Sequence, residues 1–176
     1  MTKTILKGRG FILRHIEIKD LQGYFECFQG ENIVEYLLKI PKNLSEAKKE
    51  LKIKISDFSM DKPFGECFAI EVNGKFAGYI ELSHLNQKNR EHQGEIGYCI
   101  HPDFRGKGLA TNSVKLLTNY AFKKYKLKRL VAIGRVKNKA SARVLEKADY
   151  KLEGIMRKNK CVNGRYLDDF LYAKII

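Results

Sequence analysis

Asn-Gly occurs twice in this 176-residue chain between segments of alternating apolar and polar residues, at Asn73-Gly74 and at Asn163-Gly164. A two-residue Asn-Gly loop supplies both positive-φ positions of a type I′ turn, whose twist matches that of the strands it joins. Residues 67–72 and 75–82 therefore predict one antiparallel hairpin, and residues 150–162 and 165–176 a second. Apolar stretches at 10–14, 95–101 and 129–136 read as further strands, with a polar loop over 84–92. Elsewhere the period is helical. It places Ile18, Leu21, Phe25 and Phe28 on one face of a helix over 18–28, and Leu44, Ala47, Leu51, Ile55 and Phe58 on one over 44–58. A third helix opens at Leu109, with Leu109, Ala110, Val114, Leu117, Tyr120 and Ala121 inward, and a fourth covers 138–148, with Ala140, Val144, Leu145 and Ala148 inward. In the helix over 44–58, Lys48, Lys49, Lys52 and Lys54 read as the solvated side. The expectation is an α/β (α+β) fold, a central, mostly antiparallel sheet flanked by helices. No repeat, low-complexity tract or linker interrupts the pattern, which argues for one domain over 1–176.

Composition narrows the setting. With 44% apolar residues the chain can bury a substantial core. No apolar run approaches the roughly 18 to 20 residues that span a membrane, so no membrane partner is expected. Cys27, Cys67, Cys99 and Cys161 form no CxxC pair and follow no signal peptide, which fits a reducing cytoplasm. No His, Cys and Asp cluster has zinc-ligand spacing, so no metal is expected. The net charge of +14 comes mostly from lysines scattered along the chain, as on a solvated surface. The alternative is an acidic partner such as RNA or the ribosome, although a compact patch of arginine interleaved with aromatics would be its clearer mark.

The run Arg105-Gly106-Lys107-Gly108-Leu109-Ala110 joins the strand over 95–101 to the third helix. Glycines there let successive N–H groups converge on an anion at the helix start, and Arg105 and Lys107 add charge. Two common nucleotide fingerprints do not fit. GxxxxGK[ST] has other spacing, and the third glycine of GxGxxG is replaced by Thr111.

What fits is R-x-x-G-x-A, preceded by Gly97-Tyr98-Cys99-Ile100-His101-Pro102. That string resembles the acetyl-CoA motif of the GNAT superfamily of N-acetyltransferases. Further along, Asn138-Lys139-Ala140-Ser141-Ala142-Arg143-Val144-Leu145-Glu146-Lys147 is similar to the N-x-x-S-x-R-v-l-E-K string of its ribosomal-protein-alanine (RimJ/RimL-like) branch, and Leu152-Glu153-Gly154, Asp168 and Tyr172 continue that pattern. The match covers about residues 93–174. One departure is Asp149, where the branch has a glycine that ends the helix in the left-handed conformation; aspartate visits that conformation more readily than most residues.

The resemblance implies acetyl-CoA as co-substrate and direct transfer of its acetyl group to an amine. The main chain of Gly106 to Ala110 would hold the pyrophosphate, with Arg105 and Lys107 beside it. The strand carrying Cys99 and Ile100 would splay from its neighbour, leaving backbone groups for the pantetheine arm and a main-chain N–H for the acetyl oxygen. Cys99 itself reads as a small apolar strand residue. Asn138 would bond the pantetheine, or simply cap its helix. Ser141 would protonate the departing thiolate, or cap its own backbone. The amine must lose a proton first, and Glu95, on the same strand face as Gly97 and Cys99, is the first candidate base. Glu81, His84, Tyr98, Asp168 and ordered water compete with it.

The acceptor stays open among a peptide N-terminus, including that of a ribosomal protein, and a small amine such as a polyamine, amino acid or aminoglycoside. In this family the first helices and the loop over 85–93 build the acceptor side. A cationic acceptor suits a +14 protein only if acids such as Glu31, Glu35, Glu81 and Asp168 line the mouth, which favours the peptide. A non-catalytic RNA- or ribosome-binding module is the rival class, and the sequence leaves monomer and homodimer open.

Overall fold

The computed structural model describes residues 5–29, 36–37 and 40–176. Both Asn-Gly turns form, with Asn73 and Gly74 at φ +49 and +75 and Asn163 and Gly164 at +50 and +75. Among the described residues the strands are β1 (Ile5–Gly8), β2 (Phe11–His15), β3 (Glu66–Val72), β4 (Lys75–Ser83), β5 (Gln93–Ile100), β6 (Arg129–Arg135), β7 (Lys151–Val162) and β8 (Arg165–Ile175). They make one sheet in the order β1-β2-β3-β4-β5-β6-β8-β7. The α-helices among the described residues are α1 (Leu21–Glu26), α2 (Leu44–Asp57), α3 (Leu109–Tyr125) and α4 (Lys139–Lys147). None is long and apolar enough to cross a membrane.

Each face of the sheet buries its own core. Phe68, Ile80, Ile96, Leu130 and Phe170 pack with Val114, Leu117 and Ala121 of α3 and Leu145 of α4. On the other face Cys67, Ala69, Tyr79 and Cys99 pack with Tyr24 of α1 and Ala47 and Leu51 of α2. Local chemistry sets the helix ends. Asn43 caps α2 by accepting the Glu46 N–H at 2.9 Å, and Glu46 accepts the Lys42 N–H at 2.9 Å. Asp149 takes the left-handed conformation after α4, at φ +65, and Lys174 donates to the Ala148 carbonyl at 3.0 Å.

Seven strand neighbours form six antiparallel pairs and one parallel pair, β5 with β6 across the α3 crossover. The parallel pair has only three rungs, Gln93 with Arg129, Gly94 with Leu130 and Glu95 with Val131. Beyond Glu95, β5 stays paired to β4 as far as Ile100, and β6 stays paired to β8 as far as Arg135. Each strand follows its other neighbour, so the sheet opens into a notch.

Four elements differ from the sequence expectation, the first being the edge strand β1, which it does not include. The helix over 18–28 is a 3-10 turn at Ile18–Asp20 followed by the short α1. Asp20 explains the break: its buried carboxylate accepts Arg14 at 2.8 and 2.7 Å and the Glu17 N–H at 2.8 Å. In α4 Ala140 is exposed and Ala142 packs on the core instead. Lys54 leaves the solvated side of α2 and is half-buried against β4.

Candidate active site

The notch leads into a cavity of about 170 Å³. Glu95, Gly97 and Tyr98 of β5 line one side, and Gly134 of β6 with Asn138 and Ser141 at the start of α4 line the other. Glu95 sits at the last rung, where the strands part. Its carboxylate is 3.6 Å from Nδ1 of His84. Burial raises the Glu95 pKa, and the nearby Glu81 adds to the rise against the opposing pull of His84 and Lys160. A carboxylate tuned upward in this way is a stronger base than one in water.

Across the notch, Tyr98 and Ser141 share a hydroxyl–hydroxyl hydrogen bond of 2.8 Å, and the Tyr98 OH also approaches the Ser141 carbonyl at 3.2 Å. Burial pushes the Tyr98 phenol well up, so it stays protonated and can donate. Asn138 caps α4, accepting the Ser141 N–H at 3.0 Å, while its amide donates to the Tyr36 carbonyl at 3.4 Å. The cap fixes Ser141 one turn into the helix, facing the cavity.

Five rises of roughly 3.3 Å each lead from Glu95 along β5 to Ile100 and the glycine loop. Gly106 and Gly108 have φ of +78 and +72, and each leaves the space a Cβ would fill free of backbone. Gly108 is the N-cap of α3 and has no side chain to bond the first N–H groups, so those of Leu109 and Ala110 face outward without an intrahelical acceptor. Nε of Arg105 donates to the Ile100 carbonyl at 3.1 Å, and Nζ of Lys107 donates to the Asp103 carbonyl at 3.1 Å. The loop thus offers backbone donors, two cations and a 17-residue helix dipole to an anion such as a pyrophosphate.

The structure therefore gathers Glu95, Asn138 and Ser141 around one cavity and sets Arg105 to Ala110 at the far end of β5. Cys99 is turned away, buried against α1 with its thiol donating to the Cys27 carbonyl at 3.3 Å. Asp168 is exposed and accepts the Lys158 N–H at 2.7 Å, which caps an irregularity of β7 rather than lining the mouth. Glu31 and Glu35 lie outside the described residues. Glu81 does line the cavity, but its carboxylate is held by the Lys54 ammonium. Burial works against the charge of Lys54, yet its acidic neighbours, Glu81 and Glu50 among them, raise its pKa overall. The sequence reading put Lys54 on the solvated side and took Tyr98 for a competing base, without its link to Ser141. Lys54 lies three residues after the inward Leu51, a spacing that puts it on the apolar stripe, whereas Tyr98 meets a partner 43 residues away and leaves no local signal.

Comparison with known proteins bears on this geometry. The family described as the acetyltransferase (GNAT) domain matches residues 11–151. Spermidine N(1)-acetyltransferase of Escherichia coli (strain K12) is 29% identical over 154 residues, which are 88% of this chain and 80% of that protein. The putative ribosomal N-acetyltransferase YdaF of Bacillus subtilis (strain 168) is 37% identical over 101 residues, 57% of this chain and 54% of that relative. Among solved structures, RimL, a ribosomal L7/L12 alpha-N-protein acetyltransferase, shares the fold with a TM-score of 0.85 at 22% identity, covering 100% of this chain and 96% of its own. RimL has also been solved in complex with coenzyme A, with a TM-score of 0.85 and 98% of both chains covered.

Proposed function

Because this chain belongs to the acetyltransferase (GNAT) family and is an acetyl-CoA-dependent N-acetyltransferase, we propose that its acceptor is the α-amine of a protein N-terminus, with ribosomal proteins the first substrates to test. The observation that carries this reading is the placement of Glu95 and Ser141 on opposite lips of one notch. Glu95 takes the proton that an ammonium must lose before its nitrogen can attack. An α-ammonium, with a pKa of about 8, gives up that proton far more readily than an aliphatic ammonium near 10. That difference suits a base of carboxylate strength.

In the reaction the amine nitrogen bonds to the acetyl carbon, the carbon–sulfur bond breaks, and the amine's proton leaves through Glu95 to solvent. Ser141, hydrogen-bonded to Tyr98, gives a proton to the departing thiolate and recovers one through Tyr98. Main-chain N–H groups of β5 beyond Glu95, where the pairing with β6 ends, bond the acetyl oxygen and the arm that carries it. Gly106 to Ala110, with Arg105 and Lys107, hold the pyrophosphate. The reaction belongs in the cytoplasm, where acetyl-CoA meets finished N-termini.

A second acceptor class is favoured by the likeness to spermidine N(1)-acetyltransferase, namely a polyamine. Thiol release from acetyl-CoA separates the two when the purified chain is given a peptide beginning with Ser or Ala, or spermidine. The expected result is release with the peptide. Release with spermidine alone would refute the α-amine reading. In parallel, acetyl-CoA should raise the melting temperature of the protein, and Gly108→Glu should abolish that rise by placing bulk and negative charge beside the pyrophosphate. An undiminished rise in the variant would remove the loop from the donor site.

A further inference from the structure

Two cavities meet at Glu81. The notch, which holds Glu95, lies on one side. On the other a larger cavity of about 270 Å³ runs between the end of α2 and the strands β3 and β4, with Asp57, Glu66 and Glu81 on its walls. Glu81 and Glu95 project from the same face of neighbouring strands, since Glu81 pairs with Gly97, two residues along from Glu95. Gly97 permits this, because a Cβ there would come within 3.3 Å of Oε1 of Glu81. Two carboxylates on one face of the sheet, Glu95 and Glu81, thus lie in line from the notch toward the larger cavity.

Such a line is a place for a linear polyamine, whose ammonium groups are separated by three or four methylenes. One amine would react at Glu95 while the next paired with Glu81. In this chain the second place is taken. The Lys54 ammonium sits on the Glu81 carboxylate, 5.9 Å from the centre of the Tyr79 ring, with its side chain only 23% exposed. Glu66 pairs with Leu82, so it projects from the opposite face, where Lys124 and the Tyr120 hydroxyl at 2.7 Å engage it. The acid of Asp57 accepts the Phe64 N–H at 2.9 Å.

We infer that Lys54 is a specificity-determining residue: it occupies the subsite of a second ammonium at Glu81, excludes polyamines by like-charge repulsion, and leaves a site for a singly charged amine at Glu95. The inference rests on the reading of Glu95 as the acceptor-side carboxylate. Exclusion by a placed charge costs the preferred acceptor little, because an α-amine carries no second cation to be repelled.

Lys54→Met keeps the length of the side chain and removes its charge, and Lys54→Arg keeps the charge. The measured quantity is the ratio of kcat/KM for spermidine to kcat/KM for a peptide beginning with Ser, both by thiol release. Peptide turnover doubles as the check that each variant is folded. Lys54→Met should raise the ratio at least about tenfold, chiefly through a lower KM for spermidine, and Lys54→Arg should leave it within about threefold of the parent. Adding Glu81→Gln to Lys54→Met should cancel the gain. An unchanged ratio in Lys54→Met, or a gain that survives Glu81→Gln, overturns the assignment of Lys54 while the α-amine reading stands. Efficient spermidine turnover by the parent protein overturns both.

Discussion

The Tyr98 and Ser141 hydroxyls meet across the notch at 2.8 Å, joining β5 to the first turn of α4 over a gap that no backbone pairing closes. A hydroxyl held by another hydroxyl can lose a proton to a leaving group and be resupplied at once. Ser141→Ala should lower kcat for acetyl transfer by about 10²-fold and Tyr98→Phe by about tenfold. The double variant should fall only slightly below Ser141→Ala, since the two act as one unit. Steady-state thiol release reads all three, and strictly multiplicative losses would show that the hydroxyls act separately.

Glu95 makes two opposite demands as pH changes. Its folded-state pKa is raised chiefly by burial, so folding favours the protonated acid, and this share of stability is lost as pH rises through the raised value. Glu95→Gln never ionises. At pH 8 the variant should therefore melt above the parent, and the difference should vanish as pH falls below the ordinary carboxyl value. Activity should move the other way, with Glu95→Gln losing most of kcat and the acidic limb of the pH profile. A variant that keeps the parent profile would exclude Glu95 as the base.

Arg135 and Asp169 lie opposite each other on β6 and β8, 2% and 0% exposed, with a 2.7 Å hydrogen bond between them. Asn159 completes the site by donating to Asp169 at 2.7 Å. Asp169→Ala leaves a buried guanidinium without its counter-charge, which should cost about 3 to 5 kcal/mol. For a chain of this size the melting temperature should drop on the order of 10 °C. Pairing Arg135→Met with Asp169→Leu should recover most of that loss, because the uncompensated charge is gone. Scanning calorimetry distinguishes the two outcomes.

What the sequence made legible follows the range of the interactions. The Asn-Gly hairpins, α2 to α4 and the glycine loop each depend on residues within a few positions, and their turn chemistry and periodicity are written locally. Glu95, singled out by strand alternation, and Ser141, singled out by a motif, line the same cavity. Tyr98 with Ser141 and Arg135 with Asp169 are 43 and 34 residues apart, so only the assembled sheet brings them together. The edge strand β1 was missed because four residues with an exposed face carry too little pattern. Lys54 was misread for a different reason. Its residue type says solvent, its spacing after Leu51 says interior, and a long aliphatic stem lets it satisfy the spacing while its ammonium finds Glu81.

A sheet whose two leaves are stitched by three parallel rungs behaves as a book bound only near one end of its spine. Glu95 belongs to the first leaf, and Ser141 rides with the second through α4. The span between the proposed proton acceptor and the proposed proton donor therefore follows the angle between the leaves, which the Tyr98–Ser141 hydrogen bond holds in this structure. A co-substrate seated in the gutter would lie directly between those two groups.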